Sequence, residues 1–242
     1  MVINNSGQGD LINNKLSSWS FDNEVPENFD KHVSRSVPNY NDGHQLINIY
    51  TDFFINLPSK RGYDIGSSTG SLIEKIQSRH LDKNIEYIGI EPVQKMINIA
   101  NKRIYKDQEK IQFLNESILN IDLLPSSFVI SYYTLQFISP GVRQEVFNKI
   151  YNSLDWGGGF FLFEKVRSND ARFQDYSTQS YNEFKLNNGY SQDEILSKSR
   201  SLKGVLEPFT SKANEDYMIR SGFKDIEVIF KSFCFQGWLA IK

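Results

Sequence analysis

A chain of 242 residues with a net charge of −2 and one cysteine has the length of one large α/β domain, enough to bury a sizeable core without disulfides or metals. Basic and acidic residues are interspersed, so no broad positive field attracts phosphate backbones, and stable nucleic-acid binding is not expected. Cys234 alone excludes an internal disulfide or a multi-Cys zinc site and reads as a small apolar strand residue; His32, His44 and His80 match no ligand spacing, so no metal is expected.

A polar, Asn-rich stretch follows Met1 through Asn14 without an apolar signal segment, and no run approaches membrane-spanning length. A flexible N-terminus over 1–18 and a cytoplasmic location are expected, with a single domain over 19–242. Trp19-Ser20-Phe21-Asp22 opens a helical or irregular cover over 19–56, and apolar residues recur at helical spacing from His44 to Phe54. Strands are predicted at Gly62–Ile65, Ile85–Ile90, Ile111–Leu114, Phe128–Tyr132 and Phe160–Phe163, and helices at Val93–Ile104 and Val142–Leu154. This alternation implies a mostly parallel sheet with helices on both faces. Gly157-Gly158-Gly159 reads as a flexible stop between helix and strand. A polar helical lid is expected over 166–205, with Ser191 and Glu194 at capping-box spacing and Gly204 as a helix stop. After a Thr210–Ser221 helix, strands Ile226–Phe230 and Phe233–Ile241 are joined by a turn at Lys231-Ser232.

The strongest chemical signal is Tyr63-Asp64-Ile65-Gly66-Ser67-Ser68-Thr69-Gly70, between a strand and a helix. Gly66 permits a sharp turn and close approach of a ligand, so a larger residue there would fill ligand space; Gly70 lets the next helix pack near the strand. Such a turn suits several nucleotide-derived ligands. Glu91 narrows the choice, because a carboxylate ending the next strand can accept both hydroxyls of a ribose. The spacing is not G-x-G-x-x-G and no G-K-[ST] follows, which favours S-adenosylmethionine over dinucleotides or nucleoside triphosphates. Ser117 follows the third strand, where it can hydrogen-bond an adenine, and Tyr132 and Tyr133 close the fourth strand beside the same crevice. Glu164-Lys165 reads as an ordinary surface ion pair.

Several strings together resemble the carboxy-S-adenosylmethionine synthase family, also described as tRNA wobble-uridine modification enzymes of the class I methyltransferase fold: Trp19-Ser20-Phe21-Asp22, Arg35-Ser36-Val37-Pro38-Asn39-Tyr40, Thr134-Leu135-Gln136-Phe137, Phe163-Glu164-Lys165 and Asn188-Gly189-Tyr190-Ser191. The resemblance implies a Rossmann-like α/β fold: a mostly parallel seven-stranded sheet with an antiparallel C-terminal strand, a helical cover and a helical lid. It implies a homodimer, and S-adenosylmethionine or its carboxylated form as the cofactor. Ligand contacts are implied at Tyr40, Gly66, Ser67 and Ser68, at Glu91 and Pro92, and at Ser117, Ile118 and Tyr132. In that family the methyl carbon of S-adenosylmethionine is carboxylated, with prephenate as the carboxyl source.

Three residues depart from the family pattern. Ser117 stands where the family has Asp, Tyr132 stands where it has Asn, and the lid reads Lys198-Ser199-Arg200 where the family has Lys followed at once by the carboxylate-reading Arg. One residue of displacement on a helix turns a side chain by ~100°. These changes favour plain methyl transfer to a small-molecule acceptor on the family scaffold. Carboxy-S-adenosylmethionine synthesis, with Arg200 filling the Arg role from a shifted backbone, is the alternative, and a non-catalytic S-adenosylmethionine-binding protein is the third reading. No proton-transfer residue declares itself; Arg200, Tyr132 and Tyr133 are the catalytic candidates.

Overall fold

The computed structural model describes residues 25–104 and 110–242, so the 1–18 start and the Trp19-Ser20-Phe21-Asp22 string lie outside the described residues. Two helices, α1 (Val25–Ser36) and α2 (Tyr40–Tyr50), precede the sheet. The helix expected from His44 to Phe54 begins earlier, at Tyr40, and tightens into a 3₁₀ turn at Thr51–Phe53. Ile47 and Phe54 are buried against the sheet, whereas Ile49 and Phe53 of the same apolar series face outward.

The central elements follow in βα order: β1 (Arg61–Ile65), α3 (Ser71–Arg79), β2 (Glu86–Ile90), α4 (Gln94–Arg103), β3 (Ile111–Leu114), β4 (Ser126–Tyr132), α5 (Pro140–Ser153) and β5 (Leu154–Lys165). The lid helices α6 (Ala171–Asn187) and α7 (Gln192–Ser201) come next, then α8 (Ser211–Ser221), β6 (Asp225–Ser232) and β7 (Phe235–Ile241). The strand order is β3-β2-β1-β4-β5-β7-β6, parallel except that β7 runs against both of its neighbours. This is the Rossmann-like class I methyltransferase arrangement. Side chains alternate across it: Phe128, Ile130 and Tyr132 of β4 join the core beneath the N-terminal helices, and Val129 joins the core beneath α5 and α8. Among the described residues, no helix is long and apolar enough to cross a membrane.

Three expectations are corrected. The glycine run is not a stop between helix and strand, because α5 ends at Ser153 and Leu154 is already extended. Gly157-Gly158-Gly159 lies inside β5, at a bulge where Ser126 pairs with Leu154 but Phe128 pairs with Gly159. Gly157 has φ +80 and donates its N–H to Lys242 O, and a Cβ on Gly159 would lie 2.6 Å from the Phe54 ring. The second correction concerns the final hairpin, which turns at Phe233-Cys234 rather than Lys231-Ser232 because a bulge between Val228 and Phe230 lengthens β6. Cys234 is therefore a buried turn residue whose carbonyl accepts the Val166 N–H, not a strand residue. Third, Glu164 and Lys165 are not a surface pair. Neighbours on a strand point to opposite faces, and Glu164 is only 2% exposed.

Close approach of α2 to β4 depends on Gly43. Tyr132 donates its hydroxyl to the Tyr40 carbonyl at 2.6 Å, and that same hydroxyl oxygen fills the space where a Cβ on Gly43 would stand. Gly43→Ala should thus destabilise the protein by about 1–3 kcal/mol through overpacking, read as a lower urea midpoint with an unchanged m-value. A midpoint at or above that of the parent would show that α2 can yield without cost.

Candidate active site

The chain passes from β1 to α3 through the glycine loop, which folds over the end of β2: Gly66 N–H donates to Ile90 O at 2.7 Å and Gly70 N–H to Ser67 O at 2.9 Å. Gly66, Ser68 and Gly70 have φ of +74, +48 and +72, the left-handed region that favours glycine at the first and third positions. A Cβ on Gly70 would lie 2.8 Å from Phe113 and 3.0 Å from Ala100, so the loop packs tightly on α4 and β3. At Gly66 the physical reason differs from the expected one. An added Cβ would strike the Thr134 side chain rather than fill ligand space.

Glu91 leaves β2 directly beside this loop and is buried. Its Oε2 accepts the Ser68 N–H at 3.0 Å and its Oε1 accepts the Val93 N–H at 2.9 Å, tying the loop to the start of α4. Asp64, next to it, is 3% exposed. Burial, reinforced by Glu91, pushes its carboxyl up to about 7. Its Oδ1 and the buried Ser67 Oγ have no hydrogen-bond partner. Both residues line a cavity of about 1050 Å³, and a cationic ligand rich in hydrogen-bonding groups, such as S-adenosylmethionine, would satisfy these atoms.

Tyr40, Ser68, Pro92, Ser117 and Ile118 line the same cavity, as do Tyr132 and Tyr133. Ser117 Oγ accepts the Leu119 N–H, so the residue also shapes its own turn. The two tyrosines differ in availability. Tyr132 has committed its hydroxyl to the Tyr40 carbonyl, whereas Tyr133, held at φ +62 by an N–H bond to Phe163 O, has a buried hydroxyl without a well-formed hydrogen bond. Burial raises both phenols, so each stays neutral near pH 7.

Arg200 is not brought to the cavity. The helix α7 starts from the anticipated capping box of Ser191 and Glu194 and runs regularly to Ser201; Lys198 and Ser199 line the cavity, and Arg200 is exposed on another face. A regular helix offers no slippage to absorb one residue of displacement.

The lid closes on the cover through residues that sequence reasoning did not connect. Arg35 donates to Asn188 O from Nε and Nη2, at 2.9 and 2.7 Å; Ser36 Oγ and Tyr190 OH are 2.8 Å apart; and Tyr181 OH donates to Ser36 O at 2.8 Å. Lys198 Nζ donates to Ser36 Oγ at 3.0 Å and to His32 Nε2 at 2.7 Å. Burial, aided by Lys198 and Arg35, holds His32 down to about 3, so this imidazole is neutral and accepts. The strings Arg35-Ser36 and Asn188-Gly189-Tyr190, far apart in the chain, meet here as two sides of one latch. Lys165, Lys185 and Cys234 also line the cavity and were missed as site residues. The placement of Lys165 opposite Glu164 was legible, since a strand separates consecutive side chains.

The pH dependence of the ligand-free protein tests the Asp64 environment. A carboxyl raised above its ordinary value stabilises the fold while protonated, and that stability is lost as pH rises through about 7. Asp64→Asn should consequently be more stable than the parent at about pH 8, by at most ~4 kcal/mol at ~1.4 kcal/mol per pKa unit, with the gap closing towards about pH 4. Urea titrations across that range check this; a gap independent of pH would mean that Asp64 ionises normally.

Comparison with known proteins agrees with this geometry. A methyltransferase-domain family model matches residues 63–158, which include the glycine loop, Glu91 and both tyrosines. Among solved structures, a SAM-dependent methyltransferase from Thermotoga maritima aligns with a TM-score of 0.57 at 19% identity, covering 91% of this chain and 97% of that one. Human N-acetylserotonin methyltransferase in complex with SAM aligns with a TM-score of 0.52 at 15% identity, covering 90% and 59%. Among sequences, the carboxy-S-adenosyl-L-methionine synthase of Staphylococcus epidermidis is 37% identical over 225 residues, 93% of this chain and 97% of that protein. The synthase of Nautilia profundicola is 33% identical over 226 residues, 93% and 94% of the two. With a methyltransferase fold beneath a likeness that runs nearly the whole length of both sequences, the chain is a SAM-dependent transferase and belongs to the carboxy-S-adenosyl-L-methionine synthase family.

Proposed function

We propose that the protein makes carboxy-S-adenosylmethionine, with prephenate, the donor implied by the family resemblance, as the carboxyl source: the donor loses CO2 and expels its ring hydroxyl as it aromatises, the sulfonium methyl carbon of S-adenosylmethionine gives up a proton and bonds the CO2 carbon, and proton and hydroxide leave together as water. The observation that carries this reading is the single cavity in which an acidic end, Asp64 and Glu91, is joined to a lysine-lined end under the lid. The acidic end suits a cationic cofactor, and the basic end suits a carboxylate-bearing partner. Whole-length likeness to synthases supports this reading over plain methyl transfer, the favoured expectation from sequence.

In this reading Glu91 receives the ribose hydroxyls. Its two oxygens each hold one backbone N–H and keep acceptor capacity for more. Asp64 takes the cationic amino group, Ser117 and Ile118 border the adenine, and Tyr133 offers a neutral hydroxyl to the reacting end. The latch between cover and lid keeps water from the methyl carbon during its chemistry.

Plain methyl transfer stays as a second reading because Arg200, the expected reader of the added carboxylate, lies outside the cavity. Purified protein incubated with S-adenosylmethionine and prephenate decides between them: mass spectrometry should show the cofactor heavier by one CO2 unit together with a decarboxylated donor. Prephenate left unconsumed would sink the synthase reading. Glu91→Gln should weaken S-adenosylmethionine binding by ~1.5–3 kcal/mol, and an unchanged calorimetric affinity would reject its role as ribose acceptor.

A further inference from the structure

Three lysines from three elements meet at the lid end of the cavity: Lys165 at the end of β5, Lys185 in the last turn of α6 and Lys198 in α7. Lys165 and Lys185 place their ammonium groups 4.5 and 4.4 Å from the ring centre of Tyr181. Lys198 is steered by His32 and Ser36. A wall of ring contacts, Tyr40 to Tyr133, Tyr133 to Phe235 and Phe235 to Tyr181, leads from the Asp64 side to this cluster.

The cluster is electrostatically costly as it stands. Burial lowers all three lysines first; Lys165 then lowers Lys185, and both lower Lys198, bringing Lys185 down to about 8 and Lys198 to about 7. Gathering like charges in a low-dielectric site opposes their ionisation, and an anion placed among them reverses that effect.

We propose that Lys165, Lys185 and Lys198 form an anion subsite that takes a carboxylate of the reacting partners and does the work that Arg200 cannot do from outside the cavity. The proposal rests on the synthase reading for the identity of the carboxylate, which either the donor or the carboxylated cofactor can supply. The tyrosine rings beside the lysines suit a ligand that presents an apolar face next to its charge.

Calorimetry on the full chain tests the subsite without turnover. Carboxy-S-adenosylmethionine is titrated directly, and prephenate is titrated into protein saturated with S-adenosyl-L-homocysteine, which cannot react. Lys185→Gln and Lys165→Gln should each lose about tenfold or more in affinity for the ligand whose carboxylate sits there, with S-adenosylmethionine affinity changed by less than about twofold. A selective loss for prephenate assigns the subsite to the donor, and one for carboxy-S-adenosylmethionine assigns it to the product; either outcome supports the proposal. Unchanged binding of both ligands in the two variants, or equal losses for carboxylated and plain cofactor, overturns it. Where one variant fails to fold, judged by its thermal transition, the other and Lys185→Arg, which restores the charge and should restore affinity, carry the test. Selective loss without any product from the parent protein would defeat the synthase reading and leave the subsite standing, whereas product formed by both variants with parental prephenate KM and parental affinity for carboxy-S-adenosylmethionine would defeat the subsite alone.

Discussion

The reversal of strand order between β1 and β4 is the constraint on which the rest depends. From β1 the chain winds outward to β2 and β3, then returns to β4 and winds the other way. Connections that leave adjacent strands in opposite directions open a crevice at their carboxyl ends, and backbone groups there lack a covering helix. The glycine loop, Glu91, the turn around Ser117 and the Tyr132-Tyr133 pair all emerge at that edge. None of them needs to be near another in sequence, because the sheet supplies the proximity.

Closure of the crevice comes from outside the sheet. The latch of Arg35, Ser36, Tyr190 and Lys198 ties lid to cover, and Tyr132 with Gly43 ties cover to sheet. Further along the cover, Asp30 accepts from Thr69 at 2.7 Å and is paired with Arg103, so α1 also grips the glycine loop. These bonds are spread over the rim, each contributing roughly 0.5–1.5 kcal/mol.

Electrostatics divides the cavity into two ends of opposite preference. Burial pushes the Asp64 carboxyl at one end up to about 7, and burial with neighbouring lysines brings Lys198 at the other end down to about 7. Each end lowers its cost when a ligand of opposite sign arrives, so the protein spends folding stability to prepare both positions. Glu164 follows the same physics: burial pushes it up to about 8, against the opposing influence of Arg143, while its Oε1 has no hydrogen-bond partner.

The sequence by itself determined the alternation of strands and helices, the glycine loop, the acid at the end of β2 and the capping box at Ser191, because each is written in local spacing: a period of two or 3.6, a turn residue, a carboxylate three positions from a serine. With the family pattern implied by the resemblance, it also carried the displacement of Arg200, which helix geometry turns into a different face. Boundaries moved where bulges intervened, at Gly157-Gly158-Gly159 and in the final hairpin, since a bulge obeys pairing with a distant strand rather than local preference. Only the tertiary structure decided that Lys165, Lys185 and Lys198 share one end of a cavity, that Cys234 lines it, and that Tyr132 is a strut tied to Tyr40 while Tyr133, also lining the cavity, keeps a buried hydroxyl without a well-formed hydrogen bond. Burial and charge proximity depend on which elements the fold brings together, and residues separated by long stretches of chain leave no periodic trace of that meeting.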